Sequence, residues 1–283
     1  MRRSEIVDYL ICPQKWQYRW REKLVPPQAA LAPFVGIVYH STMQRWLTVD
    51  PSNRSELMLI ACLKEALLKH QDDVDDDRLL DAKELLKPMI RAYYQQFGND
   101  AEIYGLTEVP VEHSGITATL DGIIERSDGK WLIEHKTGDP DDEMLVLNSF
   151  QTDLYHYLAR QCGHFLKGTI ITIVQRPREN ARVMPSVRRW YMEVNDAALE
   201  DAWSTAIHVS YNINMLKQVH RNRDVHCGWC SYKWICRTYL MGGDEEAVKQ
   251  HNFVKEDDIS EIQDVYNERM IAAGRPDLAG SAS

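Results

Sequence analysis

Three β-rich segments follow one another between residues 105 and 137: GLTEVPVEHS, ITATLDGIIER and KWLIEHKT, separated by turn signals at Ser114-Gly115 and Ser127-Asp128-Gly129. From about 143 to 162 the period changes. Leu147, Phe150, Leu154, Tyr157 and Leu158 there make one apolar helical stripe. Two more β segments, GTIITIVQR and VRRWYMEV, come next. The order strand–strand–strand–helix–strand predicts an α/β core with helical material before and after it.

The first hundred residues read as mainly helical. Ser4 can cap a first helix that carries Cys12, a second runs over 33–49, and two more lie near 53–70 and 78–97, joined by the acidic run Asp72–Asp77. Residues 196–220 read as helix from an Asn195 or Asp196 cap, and a short helix and a longer one near 256–272 follow the cysteines. The organisation expected is an N-terminal helical region over 1–100, a core over 101–195, C-terminal helices and cysteines over 196–272, and a disordered tail over 273–283.

Composition excludes several classes. A chain of 283 residues with 44% hydrophobic and 27% charged residues is neither disordered nor collagen-like, and it can bury a sizeable core. No apolar run approaches the roughly 20 residues that span a bilayer. The sequence MRRSEIVDYLICPQ lacks a signal-peptide pattern, so the expected location is the cytoplasm, where six cysteines stay reduced unless a metal takes them. The net charge of −9 is unevenly spread. Residues 1–25 carry six Lys/Arg against three acids, 160–191 seven against one, and 215–240 five against one. Such basic segments suit an anionic partner if the fold gathers them.

Chemistry concentrates at two places. Asp121, before Gly122, ends one predicted strand, and Glu134-His135-Lys136 lies on the next, with Glu134 and Lys136 on one face. Paired carboxylates repel unless a cation lies between them, and oxygen ligands suit Mg²⁺ or Mn²⁺. Lys136 beside that cation could position a water or neutralise a phosphate. His40 follows Gly36 by one helical turn, where the missing side chain permits close packing, and Gln151 and Tyr155 share one helix face. The second place is Cys227-x2-Cys230-x5-Cys236, with Cys12-Pro13 as the remote cysteine in a comparable setting. Four thiolates bind Zn²⁺ or an iron–sulfur cluster, and spacing does not separate the two. Cys62 and Cys162 read as ordinary core residues. Trp229, Tyr232 and Trp234 read as packing around the cysteines in preference to stacking on bases.

Taken in order, Cys12-Pro13, Gly36…His40, Asp121-Gly122, Glu134-His135-Lys136, Gln151…Tyr155 and the cysteine trio resemble the RecB-like branch of the PD-(D/E)XK nuclease superfamily. The likeness is closest to its iron–sulfur members, the four-cysteine CRISPR-associated nucleases and the AddB nuclease domain, and it covers residues 4 to about 240. It implies a restriction-endonuclease-like core, a mixed sheet flanked by helices, with an N-terminal helical region and a C-terminal iron–sulfur region. It further implies that His40, Asp121 and Glu134, with the His135 carbonyl, hold Mg²⁺ or Mn²⁺, and that Lys136 is the catalytic lysine. Gln151 and Tyr155 would hold DNA, and Cys12, Cys227, Cys230 and Cys236 would bind a 4Fe–4S cluster. Glu134 stands where many relatives have Asp. The chain has no Walker motif, so the likeness to helicase–nucleases covers the nuclease part alone.

The expected function is therefore metal-dependent DNA cleavage, as an exonuclease on single strands or DNA ends. Expected partners are DNA and a helicase, recombinase or CRISPR adaptation protein, with no membrane. The alternative is a non-catalytic DNA-binding adaptor of a recombination or spacer-acquisition complex. The intact His40, Asp121, Glu134 and Lys136 set counts against it.

Overall fold

Proline and capping signals set the helix boundaries. A computed structural model describes residues 1–100, 105–142, 146, 149–177 and 184–256. Helix α1 (Arg3–Ile11) stops one residue before Cys12, which is extended, and α2 (Pro13–Trp16) begins at the next. Cys12 is thus between helices rather than on the first one, because a residue preceding proline is driven out of the α region. After β1 (Leu24–Val25) come α3 (Leu31–Leu47), α4 (Glu56–Lys69) and α5 (Asp76–Phe97). Ser55 Oγ accepts from Met58 N–H and Asp75 Oδ1 from Arg78 N–H, so the acidic run serves as a helix cap.

The chain forms two compact units, one of residues 1–3 and 28–212, the other of 4–27 and 213 onward. The first contains a five-stranded sheet in the order β2 (Gly105–His113), β3 (Ile116–Arg126), β4 (Gly129–Thr137), β5 (Gly168–Val174), β6 (Val187–Glu193). All neighbours are antiparallel except β4 and β5, whose parallel pairing requires a crossover. That crossover contains α6 (Phe150–Gln161). The predicted start of this helix, near 143, lies outside the described residues, as do the helix near 256–272 and the tail. Helix α7 (Asp196–Met215) follows, with Asn195 Oδ1 accepting from Ala197 and Ala198 N–H.

Helices flank the sheet. Phe34, Val38, Tyr39, Met43 and Trp46 of α3 pack with Leu59 and Leu63 of α4 and Leu86, Met89, Ile90 and Tyr93 of α5. Each large side chain buried there contributes about 1.5–3 kcal/mol. This layer meets the sheet through Val174 and Val187. Among the described residues no helix is long and apolar enough to cross a membrane.

The second unit is small. Helices α8 (Lys233–Leu240) and α9 (Glu245–Asn252) lead to β7 (Val254–Lys255), which pairs antiparallel with β1. Its core is Tyr18, Leu24, Tyr232, Ile235 and Phe253, closed by the Tyr232 hydroxyl donating to Leu24 O at 2.7 Å. Arg19 bonds both carboxylate oxygens of Glu256 at 2.7 Å.

Candidate active site

Sheet register builds the site. The β3–β4 ladder places Gly122 opposite Ile133, so one step along Asp121 stands level with Glu134. Gly122 is required at that step, because a Cβ would lie 2.7 Å from Leu106 O on β2. Asp121 Oδ2 accepts from His135 N–H at 3.2 Å and pairs with His40 Nδ1 of α3 at 3.1 Å. A Cβ on Gly36 would meet Thr137 Oγ1 at an ordinary 3.9 Å, so close packing is not what that glycine supplies.

The two carboxylates are held differently. Gln151 Nε2 of α6 donates to Glu134 Oε1 at 3.0 Å and to the Tyr155 hydroxyl at 3.2 Å. Glu134 is 3% exposed, and its Oε2 has no hydrogen-bond partner. Burial first, and the Asp121 charge second, push the Glu134 carboxyl up to about 7. Asp121 is also penalised by burial, but the His40 hydrogen bond and charge outweigh it and hold the carboxyl below its usual range. His40 mirrors this. Burial opposes its protonation, yet the Asp121 hydrogen bond and the charges of Asp121 and Glu134 raise it.

Lys136 is two residues beyond Glu134 on the same strand face, half-buried, and its charge acts on both Glu134 and His40. The His135 ring takes the opposite face, between Tyr39 and Tyr93 at 6.1 and 6.0 Å between centroids. Both of its nitrogens lack partners, and burial pushes it down to about 3. The imidazole of His135 therefore points away from the carboxylates.

Arg3 is a residue that sequence reasoning missed. Residues 1–3 run along β3, with Arg2 bridging Thr117 and Thr117 N–H donating to Met1 O at 2.9 Å. Arg3 Nη2 donates to the Tyr155 hydroxyl at 2.9 Å, and its guanidinium lies 5.4 Å from that ring's centroid. Burial pushes Tyr155 up to about 12, so its hydroxyl keeps its proton. No motif spacing points to Arg3; only the long-range bridge to β3 brings it here.

Among the described residues, no three His, Cys, Asp or Glu side chains are arranged so that they could hold a metal ion. His40 on α3 and Gln151 on α6 each bind one carboxylate, which leaves the repelling pair unclosed.

The four predicted cysteine ligands all belong to the second unit, where they line one cavity of about 440 Å³ with Tyr18, Arg221 and Asn222. Asn222 N–H reaches Cys12 Sγ at 3.4 Å, and burial pushes the Cys230 and Cys236 thiols up. Cys62 is buried as expected, whereas Cys162 is exposed beyond α6, because the helix has ended there. Of Trp229, Tyr232 and Trp234, Tyr232 alone is buried; Trp229 and Trp234 face solvent.

A search of curated proteins returns no match. Among solved structures, a protein from Eubacterium rectale, an exonuclease by designation only, is similar with a TM-score of 0.48 and 15% identity. The match covers 78% of this chain and 84% of that one, and no argument rests on so slight a likeness. The family model described as the PD-(D/E)XK nuclease superfamily matches residues 3–237. With that span matched, the chain belongs to the PD-(D/E)XK nuclease superfamily.

Proposed function

We propose that this protein is a divalent-metal-dependent deoxyribonuclease of the RecB-like branch, an exonuclease acting on single-stranded DNA or DNA ends. Recombination, repair, phage DNA processing or CRISPR adaptation would use that activity. The observation that carries the reading is Glu134: a buried carboxyl with an unpartnered oxygen, level with the ionised Asp121 and two residues from Lys136.

By donor chemistry the residues suit a hard cation. Two carboxylates and an imidazole are suitable donors, and a cation would relieve both the Asp121–Glu134 repulsion and the orphaned Oε2. Held by His40, Asp121 and Glu134 with the His135 carbonyl, Mg²⁺ or Mn²⁺ would supply Lewis-acid stabilisation of a phosphate and a more acidic water. Lys136 places a fixed positive charge beside Glu134, where a phosphodiester's negative charge develops during hydrolysis. Gln151 sets the Glu134 carboxylate by one hydrogen bond and orients Tyr155 by another. Tyr155 and Arg3 then offer a hydroxyl and a guanidinium to the phosphate backbone.

The cavity lined by Cys12, Cys227, Cys230 and Cys236 fits a 4Fe–4S cluster by donor chemistry, four thiols lining one cavity. Such a cluster would be structural, tying residue 12 to the region beyond 227.

The test is digestion of end-labelled single- and double-stranded DNA with Mg²⁺, Mn²⁺ or EDTA. Metal-dependent release from one labelled end by the wild type, and none by Lys136→Ala, is the expected result. Intact DNA in every metal condition would return the protein to the adaptor reading.

A further inference from the structure

The nuclease chemistry does not use the outer face of the cysteine-bearing unit, and that face is unusual. Trp229 is 75% exposed and Trp234 is 53% exposed, although tryptophan is costly to leave in water. Buried Ile235 anchors α8 in the core of its unit, and Trp234 beside it turns outward. Two cations flank the Trp234 ring, Lys233 Nζ at 5.9 Å and the Arg237 guanidinium at 5.4 Å from its centroid. Lys233 also donates to Gly228 O at 3.2 Å, which ties it to the turn that carries Trp229. Lys233 thus links the backbone just before Trp229 to the Trp234 ring.

We propose that Trp229, Lys233, Trp234 and Arg237 form a stacking platform for single-stranded nucleic acid. Exposed aromatic rings interleaved with cations suit unpaired bases and their phosphates, because every base has a face to stack and each phosphate a charge to neutralise. Charge complementarity selects this partner: residues 215–240 carry five Lys/Arg against one acid in a chain whose net charge is −9. That local excess of positive charge, beside exposed indoles, suits the phosphates of a strand. The choice of a nucleic-acid partner rests on the nuclease reading. The platform itself lies wholly within the second unit and is distinct from the carboxylate site.

The experiment measures binding of the full chain in EDTA to a labelled oligothymidylate and to an abasic strand of equal length. The wild type should prefer the base-bearing strand. Trp229→Ala and Trp234→Ala should each weaken oligothymidylate binding about tenfold, the order expected for loss of one stacked base. The double variant should treat both strands alike, and Trp234→Phe should recover part of the loss. Lys233→Gln with Arg237→Gln should flatten the salt dependence by about 0.7 in log–log slope for each phosphate that is no longer neutralised. Because both rings are exposed, melting temperatures should not move.

Equal binding of the two strands by the wild type, or an unchanged preference in the double tryptophan variant, would overturn the proposal. So would concentration-dependent self-association that the double variant abolishes while DNA affinity stays constant, since the face would then be a contact between copies. Failure here leaves Mg²⁺-dependent cleavage of end-labelled DNA intact, whereas failure of the nuclease reading shows as no cleavage alongside unchanged strand preference.

Discussion

The carboxylate site and the cysteine cavity are both candidate metal centres, but the protein supports them in opposite ways. Asp121 and Glu134 are level on paired strands of a five-stranded sheet, with His40 and Gln151 reaching them from packed helices. The ladder and the α3–α5 core hold that geometry. The thiols surround a cavity of about 440 Å³ in a unit whose buried core is Tyr18, Leu24, Tyr232, Ile235 and Phe253. The lesson is a division of labour. In the first site the fold positions a carboxylate pair at which a proposed metal would supply chemistry; in the second a proposed metal centre would supply the fold.

The sharpest way to break this comparison is to remove one side chain from the first site. Lys136→Ala or Glu134→Ala should lower cleavage by about 10²–10⁴-fold or more, the range for losing a proton-transfer or charge-stabilising group, with near-wild-type melting in Lys136→Ala. Wild-type rates in either variant would end the assignment.

Stability should respond at the second site instead. Cys12→Ser or Cys236→Ser should release iron, bleach an anaerobically purified brown protein, and cost about 4–5 kcal/mol, the scale for opening a loop of more than a hundred residues. Cys62→Ser and Cys162→Ser should keep full iron content. One equivalent of zinc in a colourless protein would replace the cluster with a zinc site and leave the first site untouched.

A smaller effect comes from Glu134 itself. Its folded carboxyl is raised from 4.5 to about 7, so between those pH values the native state holds a proton that the unfolded chain has lost. Stability of the metal-free protein should therefore fall as pH rises from about 4.5 to about 7, by about 3 kcal/mol. Glu134→Gln should remove that slope and melt higher than wild type at pH 8 in EDTA. A slope of equal size in the variant would place the strain elsewhere. The smallest effect expected is at Arg3. Arg3→Ala should raise KM for DNA several-fold with little change in kcat, and Arg3→Lys should recover part of it; an unchanged KM would make the Tyr155 contact structural only.

Much of the first site was legible because strand alternation is local. Asp121-Gly122 and Glu134-x-Lys136 define a shared face once two strands are recognised, and Gln151 and Tyr155 follow from helical spacing. Arg3 was not, since only the Arg2–Thr117 bridge brings it to Tyr155. The second unit was harder for the same reason: it joins residues 4–27 to the chain beyond 213, and no composition shift marks that association. Nor does local pattern separate buried Tyr232 from exposed Trp229 and Trp234, which differ by tertiary placement within a few residues.

The central claim is that Asp121 and Glu134 are a repelling pair that a divalent cation relieves. Calorimetric titration of Mn²⁺ into the metal-free protein, in buffers of different ionisation enthalpy, tests it directly. With Glu134 raised to about 7 and His40 raised by Asp121, binding at pH 6 should release protons from both groups. That release should shrink as pH rises, and Glu134→Gln should lose the Glu134 share while keeping that of His40. Absence of Mn²⁺ binding, or binding at pH 6 with no proton released, would contradict the account.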